Sequence, residues 1–378
     1  MNIVILGGGI AGLTAAIALK KIGMQAVVYE AAPQIKPVGA GLVLAANAIK
    51  GFQQVGIDQA VMAEGRLLDA FAIKDEKGRL ISRTDSLAAG EKYGADNFTI
   101  HRADLHRVLL SFLDPEQIRT GKCCLDLERK HHQVLLHWSD GSSELADYLI
   151  AADGIHSAVR QKLVPASKPR YAGYTCWRAV IDNPSPDLHE TTETWGPRGR
   201  FGIAPLAHGQ LYWFACVQAP ENDAHRRHYT VTDLLDQFGG YHDPIPTILE
   251  ATKNEDLIWN DIADLAPLPR YAYGNILLIG DAGHATTPNL GQGACQAVED
   301  AVILAGEIEK AGSLPAAFLA FEKRRLARTH YVINQSRRLG AVAQVQHKWV
   351  GALRNTLIRL LPDYVRERQL DKILRVDF

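Results

Sequence analysis

Gly7-Gly8-Gly9-Ile10-Ala11-Gly12 has the residue types and spacing to cradle a pyrophosphate. Gly7 permits a tight turn, Gly9 lets a phosphate approach the backbone, and Gly12 lets a helix pack closely on a strand. A helix starting here offers unpaired N–H groups and partial positive charge to that phosphate. Glu30 can then accept both hydroxyls of an adenosine ribose, which favours an unphosphorylated ribose, as in FAD or NAD. Arg102 stands where a β-prone run becomes helical, facing either a cofactor's phosphates and ribityl chain or a salt-bridge partner such as Asp104. Asp153-Gly154 and Gly280-Asp281 each end an apolar run, where open α/β sheets place their ligands. Asp153 organises a cofactor loop or caps a helix. Asp281 binds a ribityl hydroxyl or belongs to an architectural turn. Gly291-Gln292-Gly293 opens a helix whose amides can face a flavin's pyrimidine edge and stabilise negative charge there.

These residues need a doubly wound frame. Residues 2–6 read as a strand, 13–21 as a helix and 26–30 as the next strand. Gly39 and Gly41 follow, suited to close passage by a cofactor or to a strand bend. Residues 47–55 read as a helix, and 67–81 as antiparallel strands around Lys77-Gly78. Asp140-Gly141 is the strongest hairpin signal. Residues 165–269 read as a β-rich insertion dense in aromatics. Alternation there puts Tyr212, Phe214 and Cys216 on one sheet face and Leu211, Trp213 and Ala215 on the other. One face can cover an organic substrate, while the other packs on helices. Arg200 pairs with an anionic or carbonyl-bearing ligand or forms a sheet-edge salt bridge. Beyond about residue 310 the chain reads as helical. Arginines among apolar residues at 349–374 fit a membrane-surface helix, or a packing helix or homodimer contact, which is the preferred reading.

Composition narrows the classes. The chain has 378 residues, 47% hydrophobic and 22% charged, with a formal net charge of -1. It is long enough for two domains, or for one with a large insertion, and no basic run points to nucleic acid. Cys123, Cys124, Cys176, Cys216 and Cys295 form no CxxC pair, which fits a reducing, cytoplasmic setting. Met1-Asn2 leads directly into a strand, leaving no room for a cleavable signal, and no run suits a permanent membrane anchor. His131-His132 and His225 with His228 lack further ligands, so no metal site is expected.

With its three signatures, at Gly7 to Gly12, Asp153-Gly154 and Gly280-Asp281, the chain resembles the class A flavoprotein monooxygenases, the aromatic-hydroxylase family typified by para-hydroxybenzoate hydroxylase. The resemblance covers about the first 310 residues. It implies non-covalent FAD, reduction by NADH or NADPH, and reaction with molecular oxygen to a flavin C4a-hydroperoxide that hydroxylates an aromatic or heteroaromatic ring. By the same resemblance Glu30 binds the adenosine ribose, Arg102 and Asp281 hold the FAD body, and Gly291-Gln292-Gly293 faces the flavin ring. Asp153-Gly154 belongs to a motif linked to both FAD and the nicotinamide donor. Within the family, 201–214 is most similar to bacterial FAD-dependent urate hydroxylases, with Arg200 and Tyr212 at positions associated with the purine. Asn289 stands where those enzymes favour Asp; it can donate as well as accept but carries no charge.

The implied fold is α/β: a Rossmann-like FAD-binding domain, an inserted β-rich substrate domain and a C-terminal helical region. FAD-binding segments fall at 1–70, 101–165 and 270–310, substrate-domain strands at 71–100, the β-rich domain at 166–269 and the helical region at 311–378. The rival readings are an FAD-dependent halogenase or unsaturated-bond reductase on the same scaffold, and a non-enzymatic flavin-binding regulatory protein.

Overall fold

A computed structural model describes residues 1–35, 40–95 and 97–378. Gly39 lies outside them. The first strand, Ile3–Leu6, is buried throughout and pairs in parallel with Tyr148–Ala151 on one side and Val27–Tyr29 on the other. Ile276–Leu278 and Ile118–Arg119 extend this sheet in parallel, and Ala272–Tyr273 closes it with an antiparallel edge. Strands buried on both faces need continuous apolar runs, which is how these segments read. The helix Ile10–Lys21 packs closely against Gly293–Lys310, and the two share the main core.

A second, seven-stranded sheet runs in the order Ile258–Asp264, Arg170–Asp182, Gln210–Gln218, Gly199–Pro205, Thr191–Gly196, Ala70–Asp75 and Leu80–Asp85. All neighbours are antiparallel except Thr191–Gly196 with Ala70–Asp75. At the 70–85 hairpin, the Asp75 carboxylate accepts from the Lys77 and Arg79 N–H groups at 3.0 and 2.9 Å. Strand Phe98–His101, which straddles the expected boundary between the 71–100 strands and the FAD-binding segment from 101, pairs with Gly41–Leu44 and Gly65–Leu67 in a separate three-stranded sheet. Its alternating pattern cannot choose between two sheets that both offer an apolar face.

The alternation in 211–216 is realised. Trp213, Ala215 and Leu211 pack with Trp177, Phe201 and the helices Val231–Phe238 and Ile245–Glu250, forming a second core behind the sheet. Tyr212, Phe214 and Cys216 turn to the other face, toward the parallel sheet. Helices Leu314–Ala343, Lys348–Arg359 and Asp363–Leu374 form the C-terminal region. Arg354 lies over the Trp195 ring at 4.8 Å, and Arg359 reaches Asp75 at 3.3 Å, so these arginines pin their helix to the sheet. Trp349, Leu353, Leu357 and Leu360 are left facing outward. No helix among the described residues is long and apolar enough to cross a membrane.

Candidate active site

Between the two sheets lies a cavity of about 390 Å³. One end is formed by Gly9, Ile10 and Ala11, Arg102 and Asp281, the other by the aromatic sheet face. The glycine turn is built for this end. A Cβ on Gly7 would stand 2.3 Å from the Ala152 carbonyl oxygen, and one on Gly12 would stand 2.0 Å from that of Gly7. A Cβ on Gly9 would meet no protein atom within 4 Å, so the space above it is free for a ligand. Helix Ile10–Lys21 has no side-chain cap at Gly9, and helix Gly293–Lys310 has none at Gln292. Two helix N-termini thus direct unpaired N–H groups at one cavity. Helices beginning after Ser157, Thr230 and Ser313, by contrast, carry hydroxyl caps.

Glu30 accepts from the Gly8 and Ala32 N–H groups, both at 2.8 Å. Each carboxylate oxygen keeps a further lone pair for a ribose hydroxyl. Arg102 begins its helix with an exposed side chain on the cavity wall; Asp104 pairs with Arg107 at 3.2 Å instead. Asp281 opens onto the cavity with protein on its other sides, and burial raises its carboxyl above the usual range against the pull of His284 and Arg102. Asp153 Oδ1 is buried with no hydrogen-bond partner, and burial raises that carboxyl too. Capping falls to Ser157, whose Oγ accepts from the Arg160 N–H at 2.9 Å. A phosphate-sized gap, two uncapped helix ends, a free cation and acids with spare acceptor positions fit FAD.

The Gln292 side chain turns away from the cavity. Its Oε1 accepts from Asn47 Nδ2 at 2.9 Å and from Gln296 Nε2 at 3.1 Å, so only the backbone of this turn can face a ring. Behind it lies a charged cluster that sequence reading missed. Arg325, fully buried, donates to Asp300 Oδ1 at 2.6 Å and Glu299 Oε2 at 2.5 Å. Arg328 also holds Glu299, and Asp300 accepts from His284 at 2.6 Å and from the Gly280 N–H at 2.7 Å. Burial opposes ionisation of both acids, but Arg325 with Arg328 outweighs it for Glu299, and His284 with Arg325 outweighs it for Asp300. Both carboxyls end below the usual range. Arg160, also missed, donates to the carbonyls of Ile155 and Ala282 at 2.6 and 3.3 Å, tying the Asp153 loop to the Asp281 loop.

At the sheet end, Arg200 and Tyr212 lie on adjacent strands and both line the cavity. Gly41 gives Tyr212 its room: a Cβ there would stand 2.5 Å from that of Tyr212. The Tyr212 hydroxyl makes no hydrogen bond among the described residues, and burial raises its pKa well above the usual phenol value, so it stays protonated. Arg200 is buried; Nη1 donates to Glu193 at 2.9 Å and Nη2 to Asn289 Oδ1 at 2.8 Å, and the guanidinium lies over the Tyr174 ring at 5.3 Å. Arg200 thus forms an ion pair, from an inner strand rather than the sheet edge, while lining the cavity wall. Asn289 lines the cavity, but its amide is fully engaged. Oδ1 also accepts from Tyr174 Oη at 3.0 Å, and Nδ2 donates to Thr287 Oγ1 and the Ser336 carbonyl, both at 2.9 Å. It orients Arg200. Arg178, not singled out in the sequence, lines the same wall.

Among the described residues one trio of metal-capable side chains converges, Glu64, Asp104 and His208. Arg107 already bridges the two acids at 2.7 and 3.2 Å, which makes it a salt-bridge cluster.

The model of the FAD binding domain family matches residues 1–335, and the chain belongs to that family. It is an FAD-dependent monooxygenase of the aromatic-hydroxylase class, and this relationship favours oxygen insertion over the halogenase, reductase and regulatory readings. Among its relatives, aurachin C monooxygenase/isomerase from Stigmatella aurantiaca is 37% identical over 96% of this chain and 94% of that protein. FAD-dependent urate hydroxylase from Klebsiella pneumoniae is 32% identical over 94% of each. The crystal structure of Klebsiella pneumoniae HpxO with FAD and uric acid superposes with a TM-score of 0.92 at 29% identity, covering 99% of this chain and 97% of that one.

Proposed function

We propose that this chain hydroxylates an aromatic or heteroaromatic small molecule with NADH or NADPH and molecular oxygen, urate being one member of the class. The observation that carries the reading is the single cavity joining two uncapped helix N-termini to an aromatic sheet face. When bound, FAD supplies the redox chemistry by which one oxygen atom of O₂ enters the ring and the other leaves as water at the expense of NAD(P)H.

The protein's work is binding, orientation and exclusion of water. Gly7, Gly9 and Gly12 shape the pyrophosphate turn and Glu30 holds the adenosine ribose. Arg102 and Asp281 fix the body of FAD, Asp153-Gly154 lies between it and the nicotinamide donor, and the Gly291 to Gly293 backbone faces the ring. Arg200 and the protonated Tyr212 donate to polar atoms of the substrate, and Asn289 acts through Arg200. The same reading keeps the segment division given above, except that 98–100 go with the FAD-binding segment that begins at 101, since the strand they share with His101 pairs with Gly41–Leu44. It includes a homodimer contact on the outward row of Trp349, Leu353, Leu357 and Leu360, and five free thiols fit a cytoplasmic enzyme.

The test is to load the protein with FAD and follow NADH and NADPH oxidation with urate, phenolic acids and quinolones, identifying products by mass. A substrate that accelerates oxidation and gains one oxygen supports the reading. Oxidation without any hydroxylated product across the panel contradicts it.

A further inference from the structure

The two arginines on the sheet face differ in what surrounds them. Arg200 is enclosed, its fork divided between Glu193 and Asn289. Arg178, on the neighbouring part of the same face, is half-buried, and among the described residues it has no carboxylate partner. Its Nε is buried without a hydrogen bond. Strand register sets it opposite Phe214, two pairs along from the Cys176–Cys216 pair and so on the same sheet face, with the guanidinium at the cavity wall.

A partly desolvated guanidinium whose neighbour is the Cys176 thiol rather than a carboxylate keeps donors to spare, and its planar fork suits a carboxylate or an ionised ring oxygen. The surroundings already respond to this positive charge. The Cys176 thiol is drawn down to about 7, first by the hydrogen bond with Cys216 against the effect of burial, then by Arg178 and Arg200. The opposite thiol, Cys216, is pushed up. On the sheet side Glu193 is held by Arg200, so among the described residues there Arg178 is a cation without a carboxylate partner.

We propose that Arg178 docks an anionic oxygen of the substrate, making the site selective for aromatic or heteroaromatic anions over neutral rings of the same size. The inference rests on the hydroxylase reading and narrows its substrate class. Arg200 then serves as a fixed donor, while Arg178 supplies the charge that the incoming anion neutralises.

The test uses FAD-loaded protein and matched probes, salicylate against salicylamide and quinoline-4-carboxylate against its amide, titrated by the change in flavin absorbance. A charge-assisted pair predicts that each acid binds at least about tenfold tighter than its amide. In R178Q that preference should fall to within about threefold, with amide affinity and FAD content kept; R178K should retain part of it. The same titration on C176A should leave the preference in place, separating the guanidinium from the thiol. Equal binding of acid and amide to the wild type, failure of both acids to bind, or equal weakening of both probes in R178Q would each overturn the proposal. Oxygen insertion is scored separately. Acid preference without hydroxylation would count against the hydroxylase reading alone, and hydroxylation without acid preference against the Arg178 assignment alone.

Discussion

The two ends of the cavity offer a ligand different kinds of group. At the helix end the recognition groups are mostly backbone: glycine turns and two uncapped helix starts, with side chains such as Gln292, Arg325 and Glu299 engaged inside the protein to hold that backbone. At the sheet end the backbone is consumed by strand pairing, and the groups turned to the cavity are side chains, among them Arg178, Arg200 and Tyr212, projecting from one face. Backbone recognition suits a constant cofactor, because every residue type carries the same N–H. Side-chain recognition on a rigid sheet lets specificity change without disturbing the cofactor. Variants at the helix end should therefore alter FAD occupancy, and variants at the sheet end substrate turnover.

The largest expected effect is at Gly12, where any side chain meets the Gly7 carbonyl. G12V should purify with less than about a tenth of wild-type flavin per protein, read from the absorbance ratio, because the turn cannot form. Gly9 sharpens this point. Its backbone is extended, at φ -78° and ψ -175°, and its Cβ direction is open, so G9A should fold with an unchanged apoprotein melting temperature while binding FAD at least about tenfold more weakly. An equal loss of melting temperature in both variants would remove the distinction between packing glycine and ligand glycine.

Next is Arg200. R200K keeps a cation beside Glu193 but loses the fork that also reaches Asn289. Steady-state kinetics should show kcat/KM down about 10–100-fold with flavin content unchanged. Flavin loss parallel to activity loss would mean that the two ends are not independent.

Asn289 should matter less to turnover and more to stability. N289A strands Tyr174, Arg200 and the Ser336 carbonyl, at a cost of about 1–3 kcal/mol in denaturant unfolding. Its kcat/KM should fall by less than that of R200K, because the Asn289 amide is already engaged by Tyr174, Arg200, Thr287 and Ser336. A larger fall than in R200K would give Asn289 a direct role.

The smallest effect expected is that of pH between about 5 and 8 on flavin retention. Glu299 and Asp300 are held below the usual carboxylate range, so their contribution is fully present above the unfolded value of about 4. It is lost as pH falls through the lower folded values. Flavin fluorescence should stay quenched down to about pH 4 and rise below it; release already at pH 6 would mean that the cluster does not support the turn.

This division also explains how much was legible in the sequence. Gly7, Gly9, Gly12 and Glu30 act within one strand–helix–strand unit, so their spacing along the chain carries their geometry. The face shared by Tyr212 and Phe214 was legible by alternation for the same reason. The four bonds of Asn289 were not, since their partners lie at Tyr174, Arg200, Thr287 and Ser336, brought together by strand register and a 30-residue helix. Arg178 was not legible because its distinguishing feature, the lack of a carboxylate partner among the described residues, exists only after folding. Arg325 and Arg328 sit in a helix that reads as an ordinary charged one. The pairing of Phe98–His101 with Gly41–Leu44 was not legible, because pattern reports an apolar face but not its partner.

The central claim, that this cavity puts oxygen from O₂ onto an organic ring, is tested most directly with labelled dioxygen. FAD-loaded protein turning over an accepted substrate with NAD(P)H under ¹⁸O₂ in ordinary water should give a product carrying one ¹⁸O atom. Product whose new oxygen comes only from water would contradict the account.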